Sequence, residues 1–114
     1  MTDCLFCRIA LGEIPADVVY QDDSVVAFRD IEPQAPVHVL VIPREHVPNV
    51  TELTEENQSL ASDLMLAAAR VAAREGIAYS GYRLVVNNGP DTLQSVHHLH
   101  VHVLGGRRLR PSLG

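Results

Sequence analysis

No apolar run in this chain approaches the roughly 18 to 20 residues that a membrane span needs. The opening Met1-Thr2-Asp3-Cys4 has no basic stretch followed by an apolar one, so a secretory signal is not expected and a cytoplasmic protein is. Cationic side chains are also scarce, nine Lys and Arg against fourteen Asp and Glu, for a net charge of −5. Binding a nucleic-acid polymer needs Lys and Arg on the phosphates, so neither a polymer nor a membrane surface is an expected partner. One small nucleotide stays open, because backbone amides and histidines can hold a single phosphate. Cysteine is nearly absent, and the two present form Cys4-Leu5-Phe6-Cys7. In a cytoplasmic chain such a pair reads first as metal-binding, second as redox-active and third as simple packing. A thioredoxin-like pair would sit after a strand at a helix start, whereas this one lies at the extreme N-terminus. There is no internal repeat, low-complexity tract or composition break, so the 114 residues are expected to form one domain, residues 1–114, large enough for a real core.

Histidine, by contrast, is concentrated. His97, His98, His100 and His102 close the C-terminal part, and three of them alternate with apolar residues in His98-Leu99-His100-Val101-His102-Val103-Leu104. On a β-strand successive side chains point to opposite faces. His98, His100 and His102 would then line one face, neighbours about 6.6 Å apart, with Leu99, Val101 and Val103 packing inward from the other. Histidine is the side chain whose ordinary pKa suits it to act as nucleophile, acid or base near neutrality, and it is the commonest metal ligand. Three imidazoles in a row can share a metal or act in turn on one phosphate.

The remaining pattern predicts where that strand sits. Asp17-Val18-Val19-Tyr20 and Ser24-Val25-Val26-Ala27-Phe28-Arg29 form a hairpin across Gln21-Asp22-Asp23. Val37 through Ile42, ending at Pro43, suits a central strand. Thr54, with Glu55 and Glu56 after it, reads as the N-cap of a long helix stopping at Gly76, with Leu60, Leu64, Ala67, Ala68, Val71 and Ala72 near one face. Tyr82 through Val86 is another strand, and Asn87-Asn88-Gly89-Pro90-Asp91 is turn-rich. The sum is an α+β domain, a mostly antiparallel sheet of about five strands with one long helix across a face. The tail Arg107-Arg108-Leu109-Arg110-Pro111 is locally basic and reads as solvated.

The alternation in His98 to Leu104 resembles the signature of the histidine triad superfamily. Cys4-Leu5-Phe6-Cys7, Gly12-Glu13-Ile14-Pro15, Phe28-Arg29-Asp30-Ile31, Pro33-Gln34-Ala35-Pro36, His38 through Pro43, Asn87, Gln94-Ser95-Val96 and Leu104-Gly105-Gly106-Arg107 are similar to its nucleotide-binding branch, in order and spacing over nearly the whole chain. The resemblance implies a homodimer, each protomer carrying a purine nucleotide site, that hydrolyses nucleoside 5′-phosphoramidates through a nucleotidyl-histidine intermediate. His100 matches the nucleophile, His102 the histidine that contacts the phosphate near the scissile bond, and His38 an outlying fourth histidine. Asn87 and Ser95 match phosphate-contacting positions, with Ser95 near the leaving amine. Asp30 matches the carboxylate that accepts the ribose hydroxyls, and Phe6, Phe28 and Ile31 match the apolar pocket for the base. Cys4, Cys7, His46 and His98 match the ligands of metal-carrying members, which bind structural zinc. Three departures stand out. Thr92-Leu93 replaces a glycine pair, His97 replaces an aromatic residue, and the tail lacks the tryptophan of animal relatives. A hydrolase of dinucleoside polyphosphates or adenylylated metabolites, and a nucleotide- or zinc-binding regulatory protein, remain the alternatives.

Overall fold

A computed structural model describes residues 4–113. Met1 to Asp3 and Gly114, part of the expected domain and of the termini discussed above, lie outside the described residues. Five strands, β1 (Val18–Gln21), β2 (Val25–Arg29), β3 (Val37–Pro43), β4 (Tyr82–Val85) and β5 (Val101–Gly105), form one antiparallel sheet in the order β1-β2-β3-β5-β4. Two helices, α1 (Leu5–Ala10) and α2 (Ser59–Arg74), accompany it. Among the described residues no helix is long and apolar enough to cross a membrane.

The hairpin forms where the two β-rich runs flank the polar Gln21-Asp22-Asp23, and Asp22 shapes its turn by accepting from the Ser24 and Val25 amides through Oδ1. Strand β3 is central, and its near-continuous apolar sequence has a physical reason: both faces are covered. On one face Val25, Ala27, Val39, Val41, Leu99, Val101 and Val103 meet Leu60, Leu64, Ala67, Ala68, Val71 and Ala72 of α2 in a single core. All six helix residues picked out by periodicity are buried, and truncating one such as Leu64 to alanine costs about 2 to 5 kcal/mol. On the other face Phe6, Val26, Phe28, Leu40 and Ile42 form a smaller core, with Ile9 and Ala10 of α1 packed against it.

Three expectations are corrected. The helix α1 has no counterpart among the predicted elements, since at six residues it is too short for periodicity to register. Its N-cap is Cys4, whose Sγ accepts from the Cys7 amide at 3.3 Å, so the cysteine pair does lie at a helix start. Thr54 caps a separate 3₁₀ turn, Glu55–Asn57, through a capping box, and α2 begins only at Ser59. The histidine strand begins at Val101 instead of His98. The β3–β5 ladder runs from Val37↔Gly105 to Val41↔Val101 and then fails, because the far end of β3 is Pro43, which has no N–H to offer. The Leu99 amide goes instead to the Val47 carbonyl at 2.6 Å, so the chain leaves the sheet just where its histidines begin. At the other end Gly106, at φ +93°, turns the tail against Pro36, where a Cβ would stand 2.9 Å from the proline Cβ.

Candidate active site

The face of the sheet opposite α2 carries the histidines, and they are far from an open row. His98 is fully buried, His100 is 8% exposed and His38, on β3, is 6% exposed. The rings of His100 and His102 stand 5.1 Å apart, and His102 is also 5.1 Å from His38. Phe6 of α1 caps the group, its ring edge-on to His100 at 5.3 Å and to Phe28 at 5.4 Å. The short helix absent from the predicted pattern therefore closes the floor of the site.

Hydrogen bonds assign the protons. His100 Nδ1 lies 2.8 Å from the His98 carbonyl, which can only accept, so Nδ1 carries the hydrogen and the neutral ring keeps a lone pair on Nε2. At His38 the logic is reversed, because the Gln34 amide donates to Nδ1 at 3.0 Å. His38 Nε2 must then carry the hydrogen, and it donates to His102 Nδ1 at 2.8 Å, with Asp30 Oδ2 at 3.4 Å from the same nitrogen. His102 is left with its hydrogen on Nε2. The pair His100 and His102 thus offers a nucleophilic lone pair beside a donor. Burial holds His38 below the ordinary imidazole pKa, against the pull of Asp30. Burial, reinforced by the neighbouring His100 and His38 rings, brings His102 down to about 4, so both are neutral at pH 7.

His98 turns the other way. Its Nε2–H donates to the Pro43 carbonyl at 2.8 Å, which points the Nδ1 lone pair at the N-terminal cysteines. Nδ1 lies 3.2 Å from Cys4 Sγ, 3.4 Å from Cys7 Sγ and 3.1 Å from His46 Nδ1, and Cys7 Sγ is 3.2 Å from His46 Nδ1. All four donor atoms lie within 4.8 Å of one another. Around a tetrahedral zinc ion, bonds of about 2.0 to 2.3 Å place donors roughly 3.3 to 3.8 Å apart. Two thiol sulfurs and two imidazole nitrogens at these separations fit such an ion, and the Pro43 carbonyl is the outer partner a metal-bound imidazole uses.

The other expected residues fall as follows. Asp30 is half-buried, its Oδ1 accepting from the Glu32 amide at 2.9 Å. Phe6 and Phe28 are buried together, whereas Ile31 is 95% exposed on the loop after Asp30 and takes no part in the core. Ser95 is exposed and Asn87 half-buried, both on the stretch between β4 and β5. His97 is exposed and contributes no ring to the group. Sequence reasoning named Gln94 only within the Gln94-Ser95-Val96 motif and gave it no role, yet it is buried in that same stretch with three side-chain hydrogen bonds. The motif marks the position, but nothing in the Gly-Pro-Asp-Thr-Leu-Gln run shows what the glutamine does until its long-range partner Pro48 is in place.

Comparison with known proteins agrees with this geometry. Residues 11–109 match the HIT domain. The chain is 47% identical over 111 residues to the purine nucleoside phosphoramidase of Escherichia coli K12, covering 97% of this chain and 93% of that one. It is 52% identical over 107 residues to an uncharacterised HIT-like protein of Synechococcus elongatus, covering 94% and 93%. The solved HIT family hydrolase from Clostridium thermocellum superposes with a TM-score of 0.96 at 46% identity, covering 99% of this chain and 98% of that one. With the alternating histidines, the five-stranded sheet and the matched span all in accord, the chain belongs to the HIT family.

Proposed function

We propose that this chain, acting as one HIT domain, hydrolyses purine nucleoside 5′-phosphoramidates. The observation that carries the reading is the proton assignment at His100: a buried imidazole whose Nδ1–H is committed to a backbone carbonyl and whose Nε2 is free to attack. Its 47% identity to a purine nucleoside phosphoramidase supports the substrate class. In the first step His100 Nε2 forms a bond to the α-phosphorus, the P–N bond breaks, and the amine leaves carrying a proton passed from solvent through the Ser95 hydroxyl beside it. Phosphorylated on Nε2, the ring becomes cationic, and the His98 carbonyl already facing Nδ1–H stabilises that charge without rearranging. Water then bonds to phosphorus, Nε2 departs, and the nucleoside monophosphate is released, so one hard displacement becomes two easier ones. His102 Nε2–H holds a phosphate oxygen, its donor state set by His38. Asp30 accepts the ribose hydroxyls, Phe6, Phe28 and Ile31 flank the base, and Asn87 and Ser95 contact the phosphate, with Ser95 beside the leaving amine.

Cys4, Cys7, His46 and His98 hold a structural zinc ion in the same reading. A four-ligand shell leaves no open position, so its contribution is to tie α1 to the His46 segment and to His98. The chain is further read as a cytoplasmic homodimer, testable by light scattering on the purified protein. Incubation with adenosine 5′-monophosphoramidate tests the function: AMP and ammonia should appear together in equal amounts. Release of a second nucleotide from dinucleoside polyphosphates, with phosphoramidates untouched, would overturn it.

A further inference from the structure

Between β4 and β5 residues 86–100 run outside the sheet, so no ladder fixes the segment that carries Asn87 and Ser95. Asn88 Oδ1 accepts from the Thr51 amide and hydroxyl at the start of the segment, and Thr92 Oγ1 donates to the Gly89 carbonyl, but the buried side chain that holds the Ser95 end is Gln94. Gln94 is 9% exposed, and its Oε1 accepts from the Gly89 amide at 2.8 Å. Its Nε2 donates to the Pro48 carbonyl at 2.9 Å and to the Val96 carbonyl at 3.1 Å, so both donors of the amide are used. The Gln94 main-chain amide returns to the Gly89 carbonyl at 3.4 Å, closing a ring around the 3₁₀ turn Pro90–Thr92. Inside that ring Leu93 has φ +64°, the one non-glycine residue with positive φ among those described. A left-handed leucine costs roughly 1 to 2 kcal/mol and persists only where its surroundings hold it.

The far partner of the amide matters as much. Pro48 follows Val47, whose carbonyl accepts from the Leu99 amide immediately before His100. Gln94 therefore ties Ser95 to the same short backbone segment that places the nucleophile. We infer that Gln94 is a positioning residue, setting Ser95 relative to His100 so that the departing amine meets the hydroxyl; this rests on the phosphoramidase reading above. Reacting groups held by one reference segment keep their spacing as the loops around them move, and misplacement by about 1 Å costs on the order of a hundred-fold in rate.

The test is Gln94→Met, which keeps the shape of the side chain and removes all three bonds, assayed on adenosine phosphoramidates of an alkylamine and of nitroaniline. Nitroaniline departs as a stable anion and needs little help, whereas an alkylamine needs its proton delivered. We expect kcat/KM for the alkylamine substrate to fall about ten-fold or more, the factor for one misplaced hydrogen bond, and that for nitroaniline by about two-fold or less. Equal losses on both substrates would reduce Gln94 to a loop staple and overturn the inference alone. A wild type inactive on both would remove the phosphoramidase reading, and the inference with it. Hydrogen exchange on the wild type checks the clamp even where the variant fails to fold: the Gly89 amide should be protected, and exchange at the free-peptide rate overturns it.

Discussion

Two clusters on the same face of the sheet bring three or more donor atoms within 4.8 Å, yet they are prepared for different chemistry. In Cys4, Cys7, His46 and His98, the outer nitrogen of His98 gives its hydrogen to Pro43, so a lone pair faces inward beside two sulfurs. In Asp30, His38 and His102, the Gln34 amide occupies His38 Nδ1, so the nitrogen facing inward carries a hydrogen. A cation placed there would have to displace that hydrogen and leave two donors, Gln34 N–H and His38 Nδ1–H, confronting each other. Proximity of ligand-type residues is therefore weak evidence for a metal, and the tautomers set by backbone groups decide between the two. His98 and His100 stand two residues apart and divide these roles, one turned to the cysteines and the other to the substrate face.

The comparison is broken most directly at His100. Replacing it with alanine should lower turnover at least ~10³-fold, about 4 kcal/mol of transition-state stabilisation, while AMP binding persists. Steady-state assay beside calorimetric titration of AMP checks both halves, and near-normal turnover would refute the assignment. At the other cluster, elemental analysis of protein purified without metal-affinity steps should find about one zinc per chain, as a four-ligand site requires. Cys7→Ser should lose that metal and about 2 to 4 kcal/mol of stability, as removal of a ligand that binds only the folded state predicts, while leaving part of the His100 chemistry. Full zinc retention in the variant would break the pairing of this cluster with an ion.

Smaller effects sharpen the contrast. Asp30→Ala should weaken AMP binding by roughly 1 to 3 kcal/mol and weaken a dideoxy analogue much less, because the lost bonds are to ribose hydroxyls. Equal losses would show that Asp30 serves His38 alone. The proton-holding cluster should also announce itself in acid. His38 and His102 are both shifted down, His102 to about 4, so the unfolded chain takes up protons that the folded one refuses. Stability is then lost as pH falls from about 6.5 toward 4, the direction that linkage requires when the unfolded state binds more protons. Imidazole resonances followed by NMR should show His102 titrating far below the ordinary range, and a midpoint near 6.5 would contradict its burial among other rings. Least of all, Leu93→Gly should change stability in urea melts by no more than about 1 kcal/mol, since relief of the left-handed leucine and the added chain entropy nearly cancel.

Local pattern carried the sheet and long helix because each buries a face that repeats within its own residues. β-rich runs around a polar turn marked the hairpin, a near-continuous apolar run marked the central strand, period-two alternation marked the inward-facing Leu99, Val101 and Val103, and helical spacing marked all six buried residues of α2. The chain alone also marked Cys4, Cys7, His46 and His98 as one group and His38, His100 and His102 as another, through spacing that resembles a known family. It did not show that α1 forms, that β5 starts at Val101, or that Gln94 clamps the loop. Each of those depends on a partner far away in sequence: the core around Phe28 for α1, the missing N–H of Pro43 and the Val47 carbonyl for the strand end, and Pro48 for Gln94. The proton positions belong to the same class. Residue types state which nitrogens could attack, donate or ligate, but only backbone groups brought in by the fold, the carbonyls of Pro43 and His98 and the amide of Gln34, determine which nitrogen of each ring carries the hydrogen.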